Sequence, residues 1–157
     1  MKGIVAMSLN RVIGYQGKIP WKIKSDLDFF KKMTSDSDSG GFLIMGRKTF
    51  ESVGVLPDRH TYVLTTDKEK LKMIDLRGHK YVDEESLWRI AQPDQRFWVC
   101  GGSEVYKRFL PICSEVYVTI VLNEYDGDVF LSDFEDQFSY QKIVGEYKTH
   151  WIVRYSK

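Results

Sequence analysis

One carboxylate stands where a carboxylate is costly. From Ser25 the chain reads Ser-Asp-Leu-Asp-Phe-Phe-Lys-Lys-Met. At about 100° per residue, Asp26, Phe29, Phe30 and Met33 share one helical face, with Asp28, Lys31 and Lys32 largely elsewhere. Ser25 is placed as the N-cap of this helix. An acid on an apolar stripe must find a partner. The alternative is a solvated first-turn acid favoured by the helix dipole, and periodicity leaves both open. Two further segments suit anions. Phe42-Leu43-Ile44-Met45 runs into Gly46-Arg47-Lys48-Thr49-Phe50, and Phe97-Trp98-Val99-Cys100 runs into Gly101-Gly102-Ser103-Glu104-Val105-Tyr106. Free N–H groups and the dipole at such strand-to-helix junctions attract phosphate, and glycine permits close approach. Thr65-Thr66-Asp67-Lys68 adds hydroxyls and a cation at a third strand end. Three such junctions at one sheet edge favour a dinucleotide over a lone phosphate. The sequence contains no G-x-G-x-x-G, no P-loop and no G-x-S-x-G elbow, so a dinucleotide would be held by another scheme.

These residues need a scaffold. Short apolar runs recur at Gly3–Met7, Phe42–Met45, Thr61–Thr65, Lys80–Val82, Phe97–Cys100 and Glu115–Val121. Most are continuous, as expected of strands covered on both faces. Helices are predicted at Ser25–Met33, Arg47–Val53, Glu84–Ala91 and Glu104–Leu110, so the order is strand–helix–strand and the class is α/β with a largely parallel sheet. Beyond Asp126-Gly127-Asp128 two β-rich segments, Tyr140–Val144 and Tyr147–Tyr155, are predicted to meet around Gly145-Glu146 and to add an antiparallel edge. In the second, Tyr147, Thr149, Trp151, Val153 and Tyr155 are expected on one face. Gly14-Tyr15-Gln16-Gly17-Lys18-Ile19-Pro20-Trp21 reads either as a loop that folds over a ligand or as a connector anchored by Trp21. Ser35–Gly41, small and polar throughout, reads as a mobile surface connection.

Composition bounds the rest. With 157 residues, 23 basic against 22 acidic side chains and a formal net charge of +1, the chain is expected to form one domain over residues 1–157. The charge balance gives no case for nucleic acid or an anionic membrane. No apolar run approaches the ~20 residues of a membrane span, and the N-terminus turns polar too soon for a signal peptide. Cys100 and Cys113 are expected to be reduced, and His60, His79 and His150 to lie at the surface without a metal.

With those residues in hand, the sequence resembles the dihydrofolate reductase family. Seven motifs fall in the family's order over essentially the whole chain. They are Asn10-Arg11-Val12-Ile13-Gly14, Ile19-Pro20-Trp21, Asp26-Leu27-Asp28-Phe29-Phe30, Met45 to Ser52, Leu56-Pro57-Asp58-Arg59, Gly101 to Tyr106 and Tyr125-Asp126-Gly127-Asp128. The resemblance implies a single domain with an eight-stranded, mostly parallel twisted sheet, an antiparallel C-terminal strand and about four flanking helices. It implies reduction of 7,8-dihydrofolate by NADPH, with hydride passing to C6 and a water-derived proton to N5. Asp26 would hydrogen-bond the pteridine N3 and 2-amino group beside Thr119, and Trp21 would hold an ordered water. Val5, Leu27, Phe30, Val53, Leu56 and Cys100 would line the substrate pocket, and Arg59 would take the α-carboxylate of the glutamate tail.

For the cofactor, the resemblance puts Ala6 and Ile13 at the carboxamide, with Cys100 and Tyr106 beside the ring. Gly14, Lys18 and Ile19 would belong to the lid, tied down by Asp128. Gly46, Arg47, Lys48 and Thr49 would meet phosphate from one helix start, and Gly101, Gly102, Ser103, Glu104 and Val105 from the other. Arg47, Thr65, Thr66 and Lys68 would recognise the 2′-phosphate. Gly101-Gly102 is a cis peptide in the family. A cytoplasmic monomer is implied. Glu104 departs from the neutral or basic residue common there, Cys100 from Ile or Val, and Val129-Phe130-Leu131-Ser132 from the usual sequence after Asp128. The alternatives are the related reductase of riboflavin synthesis, acting on a ribosylated pyrimidine, and a non-catalytic dinucleotide-binding module.

Overall fold

A computed structural model describes residues 1–35, 41–74, 77–91 and 96–157. The strands are β1 (Lys2–Ser8), β2 (Val12–Gly14), β3 (Gly41–Gly46), β4 (Arg59–Leu64), β5 (His79–Val82), β6 (Phe97–Val99), β7 (Glu115–Val121), β8 (Val129–Phe130), β9 (Tyr140–Glu146) and β10 (His150–Ser156). The helices are α1 (Lys24–Thr34), α2 (Arg47–Val53), α3 (Lys68–Leu71), α4 (Glu84–Ala91) and α5 (Ser103–Phe109). Eight strands form one sheet in the order β5-β4-β3-β6-β1-β7-β10-β9. The first six are parallel, and β10 runs antiparallel to both of its neighbours. The remaining two, β2 and β8, pair as a separate ribbon.

Alternation along the central strands splits the core in two. Ile4, Leu43, Met45, Val63, Trp98 and Cys100 pack on one face with Phe50 of α2 and Phe29, Phe30 and Met33 of α1. Val5, Ile44, Phe97, Val99, Val116 and Val118 face the other way, against Leu87 and Ala91 of α4 and Val105, Tyr106 and Phe109 of α5. A sheet buried on both sides accounts for the unbroken apolar runs.

Several sequence expectations are corrected. Ser25 does not cap α1; the helix is already under way, with the Leu27 amide bonded to the Ile23 carbonyl at 3.1 Å and no side-chain cap. The strand predicted from Tyr147 starts at His150, because Tyr147 and Thr149 lie in the turn, where the Tyr147 amide donates to the His150 carbonyl. The pairing of β9 with β10 jumps from Gly145 to Ile143, so Val144 is a bulge residue and Gly145-Glu146 belong to the strand rather than the turn. The histidines are not surface residues: His60 and His79 are half-buried and His150 is wholly buried. Both cysteines are free and buried, and burial pushes the Cys113 thiol up to about 12. The predicted connection at 35–41 falls mostly on residues outside the described ones.

Candidate active site

The open acid question has a structural answer. Asp26 lies in the first turn of α1, half-buried, and its Oδ1 accepts a 2.6 Å hydrogen bond from the Thr119 hydroxyl of β7. Thr119 is only 2% exposed and pairs in register with Ala6 of β1. Ala6 and Thr119 share the sheet face that packs on α1, which is why an acid on the apolar stripe of α1 finds a hydroxyl. Burial lifts the Asp26 carboxyl above the ordinary carboxylate value, opposed by the Thr119 hydrogen bond and by the charge of His150.

The apolar surroundings are uneven. Phe30, Leu56 and Cys100 join the core cluster on this face, while Leu27, Val53 and Ile19 are about half exposed. Val5 alternates to the opposite face. Ile4, overlooked in the sequence, is the β1 residue packed with Phe30, Leu56 and Cys100, and its carbonyl accepts the Tyr106 hydroxyl at 3.0 Å. Strand alternation, applied from Ala6, would have selected it. Arg59 is 9% exposed; its Nε donates to the Pro57 carbonyl, its Nη1 donates to the Thr34 hydroxyl at 3.1 Å, and its guanidinium lies over the Phe30 ring. It makes no ion pair among the described residues, and desolvation works against its charge.

The glycine junctions meet at the carboxyl edge of adjacent strands β4, β3 and β6. Gly101-Gly102 is a cis peptide, and the Gly46 amide donates to the Gly101 carbonyl at 2.7 Å. Gly46 and Gly102 precede α2 and α5, and neither helix has a side-chain cap. A Cβ on Gly102 would stand 2.7 Å from the Thr49 hydroxyl, and one on Gly46 would stand 3.3 Å from Val105. The Arg47 guanidinium bonds Glu51 at 2.9 Å, a partner the sequence reading missed, whereas Lys48, Thr66, Lys68 and Glu104 are exposed. Thr65 is buried, and Asp67 beyond it caps α3. Ser103 is half-buried at the start of α5, and Ile13 packs against the core from β2.

The Gly14–Lys18 segment is a tight two-residue turn. Tyr15 and Lys18 exchange backbone hydrogen bonds of 2.8 and 3.0 Å across Gln16 and Gly17, both with positive φ. The Asp128 carboxylate accepts the Gln16 amide at 3.0 Å, and the Asp128 amide donates to the Gly14 carbonyl at 3.1 Å. Val129 pairs with Gly14, so the altered sequence after Asp128 still completes the ribbon. From the other side, Ser52 of α2 donates to the Gly17 carbonyl at 3.1 Å, again unforeseen. Trp21 packs on Tyr125 with ring centroids 5.1 Å apart.

A family model described as dihydrofolate reductase matches residues 1–150. The chain belongs to the dihydrofolate reductase family. It is 36% identical over 137 residues to the dihydrofolate reductase of Staphylococcus haemolyticus, spanning 85% of this chain and 78% of that one. It is 34% identical over 135 residues to that of Bacillus subtilis, spanning 85% and 76%. A solved dihydrofolate reductase from Enterococcus faecalis, complexed with NADP(H) and RAB-propyl, superposes with a TM-score of 0.81 at 28% identity over 99% of this chain and 94% of that one. The family shares the eight-stranded fold described above, and among the described residues no helix is long and apolar enough to cross a membrane.

Proposed function

We propose that the chain reduces 7,8-dihydrofolate to 5,6,7,8-tetrahydrofolate at the expense of NADPH. The observation that carries the reading is the half-buried Asp26 carboxylate, hydrogen-bonded to Thr119 on the α1 face of the sheet. Asp26 accepts hydrogen bonds from the pteridine N3 and 2-amino group, and Thr119 fixes the carboxylate plane that receives them. A carboxyl whose burial favours the protonated form helps hold the ring in the tautomer ready for protonation at N5. The proton itself comes from water, which Trp21 orders. Phe30, Leu56 and Leu27, with Ile4 and Val53, supply the apolar walls of the substrate pocket. Arg59, a buried cation without a carboxylate partner among the described residues, is suited to bidentate capture of the substrate's α-carboxylate.

The chain's fit to a dinucleotide rests on the cradle at Gly46, Gly101 and Gly102, where a side chain would crowd Val105 and Tyr106 and collide with Thr49. When bound there, NADPH supplies the hydride for C6. The uncapped amides of α2 and α5, with Lys48, Thr49 and Ser103, hold the diphosphate; Arg47, Thr65, Thr66 and Lys68 recognise the 2′-phosphate. Ala6, Ile13, Cys100 and Tyr106 border the nicotinamide, and the turn at Gly14–Lys18, with Ile19, covers it and excludes water. A monomeric, cytoplasmic enzyme goes with this reading.

The test is NADPH oxidation with dihydrofolate, followed by near-ultraviolet absorbance, with Asp26→Asn alongside. Rapid oxidation by the wild type and little by the variant is the expected result. NADPH binding without oxidation in the wild type would overturn the reading and return the chain to a pyrimidine reductase or a non-catalytic module.

A further inference from the structure

One wholly buried titratable side chain has no part in the chemistry above. His150, the first residue of β10, is 0% exposed. Its Nδ1 lies 3.0 Å from the Thr149 hydroxyl, while its Nε2 is buried with no hydrogen-bond partner. The imidazole stacks flat on Tyr147, with centroids 4.4 Å apart and planes 7° from parallel. Histidine is the side chain whose ordinary titration lies nearest neutrality, and burying one with a bare nitrogen costs free energy.

Register says what it is buried beside. His150 pairs with Val121 and Ile152 with Thr119, so His150 stands on the same face of the sheet as Thr119, one diagonal step away. Thr119 is the residue that holds Asp26. Most other charged groups on and around this face are paired or in solvent. Arg154 of β10 and Lys2 of β1 lie 3.7 and 3.4 Å from Glu115 of β7. Lys24 and Asp28 of α1 pair at 2.6 Å in solvent. Lys142 of β9, opposite Arg154, and Lys22 and Lys148 of the flanking connections are exposed. Tyr106 reaches Asp26 only from the far face of β1, with its hydroxyl committed to Ile4.

We propose that His150 is a positioning residue for the reduction, acting through the Thr119–Asp26 pair and setting the pH at which Asp26 takes up its proton. The proposal rests on the functional reading above for its link to turnover, but not for the coupling between the two groups. The direction is fixed by charge: protonated His150 favours ionised Asp26, in line with the lowering effect of His150 on that carboxyl.

The experiment is an NMR titration of the ¹³C-labelled Asp26 carboxyl in the ligand-free protein, for the wild type, His150→Phe and His150→Gln. The first variant keeps a flat ring and the second a polar end, and both remove the charge. Each should raise the Asp26 midpoint by about half a pH unit, a roughly threefold gain in proton affinity, the size expected of a charge pair that solvent screens heavily. The pH profile of NADPH oxidation should move upward by the same amount with KM for NADPH unchanged. Unmoved Asp26 midpoints in the folded variants would overturn the coupling. Shifted midpoints in the variants, together with a wild-type protein that does not oxidise NADPH, would instead sink the functional reading and leave the coupling standing.

Discussion

Replacing Thr119 by valine keeps the shape of a site that is 2% exposed and removes one hydroxyl, the one that donates to Asp26 at 2.6 Å. A hydrogen bond to a charged acceptor contributes about 2 kcal/mol, and a neutral one about 1 kcal/mol. The hydroxyl can serve the protonated carboxyl as well as the ionised one, so only the difference, about 1 kcal/mol, acts on the protonation equilibrium. At 1.36 kcal/mol per pKa unit, Asp26 in Thr119→Val should titrate about 0.7 unit higher than in the wild type. The assay is the pH dependence of hydride transfer in single turnovers, read by the loss of NADPH fluorescence, with urea unfolding to check that the variant is folded. The midpoint of the rate profile should move to higher pH. A midpoint that stays put, or moves to lower pH, would refute the claim that the Thr119 hydroxyl stabilises the ionised form of the group controlling the rate.

Other consequences are open to simple measurements. Arg59→Lys keeps the charge but loses the planar fork, and should weaken dihydrofolate binding by about 2 kcal/mol, roughly thirtyfold, with NADPH affinity unchanged in fluorescence titrations; equal loss for both ligands would misplace Arg59. Because burial raises the Asp26 carboxyl, the folded state binds that proton more tightly than the unfolded chain does. That contribution to stability is full below the ordinary aspartate value and is lost as pH rises through the raised folded value. Asp26→Asn should therefore gain on the wild type in melting temperature as pH rises through that window and then hold its lead, whereas a gap constant from pH 4 to 8 would contradict the burial argument. Asp128→Ala, which deletes the acceptor of the Gln16 amide, should slow hydride transfer about tenfold if the turn depends on that charge-assisted bond; an unchanged rate would show that Ser52 and the backbone bonds of the turn suffice.

What could be read from the chain alone followed the range of the interactions involved. The bounds of α2, α4 and β7 match the sequence expectation, since each is marked locally: by glycine before the helix, by paired acids at its start, by a run of apolar residues. Ser25 failed as a cap because α1 begins at Lys24, with Ile23 in the cap position and no side chain bonded to the free amides. The ribbon of β2 and β8 is three residues against two, too short for any periodicity. Asp26, Arg59 and the glycine junctions could be nominated from residue type and motif, while Ile4, Ser52, Glu51 and His150 required knowing which strand or helix stands opposite. His150 is the plainest case: alternation set Tyr147, Thr149, Trp151, Val153 and Tyr155 apart from it, but nothing local said that its own face was the buried one.

Asp26 and Thr119 are separated by 93 positions, and β10 must still follow before β7 is covered on its outer side. No contiguous fragment that ends before β7 can hold the carboxylate in place, however well α1 and the first strands have formed. A ligand that binds the Asp26–Thr119 pair would therefore recognise a sheet that already contains β7, and its binding energy would be added to that state without helping any earlier intermediate. Under the proposed reading, folate binding would report the joining of α1 to β7 and not merely the collapse of the chain.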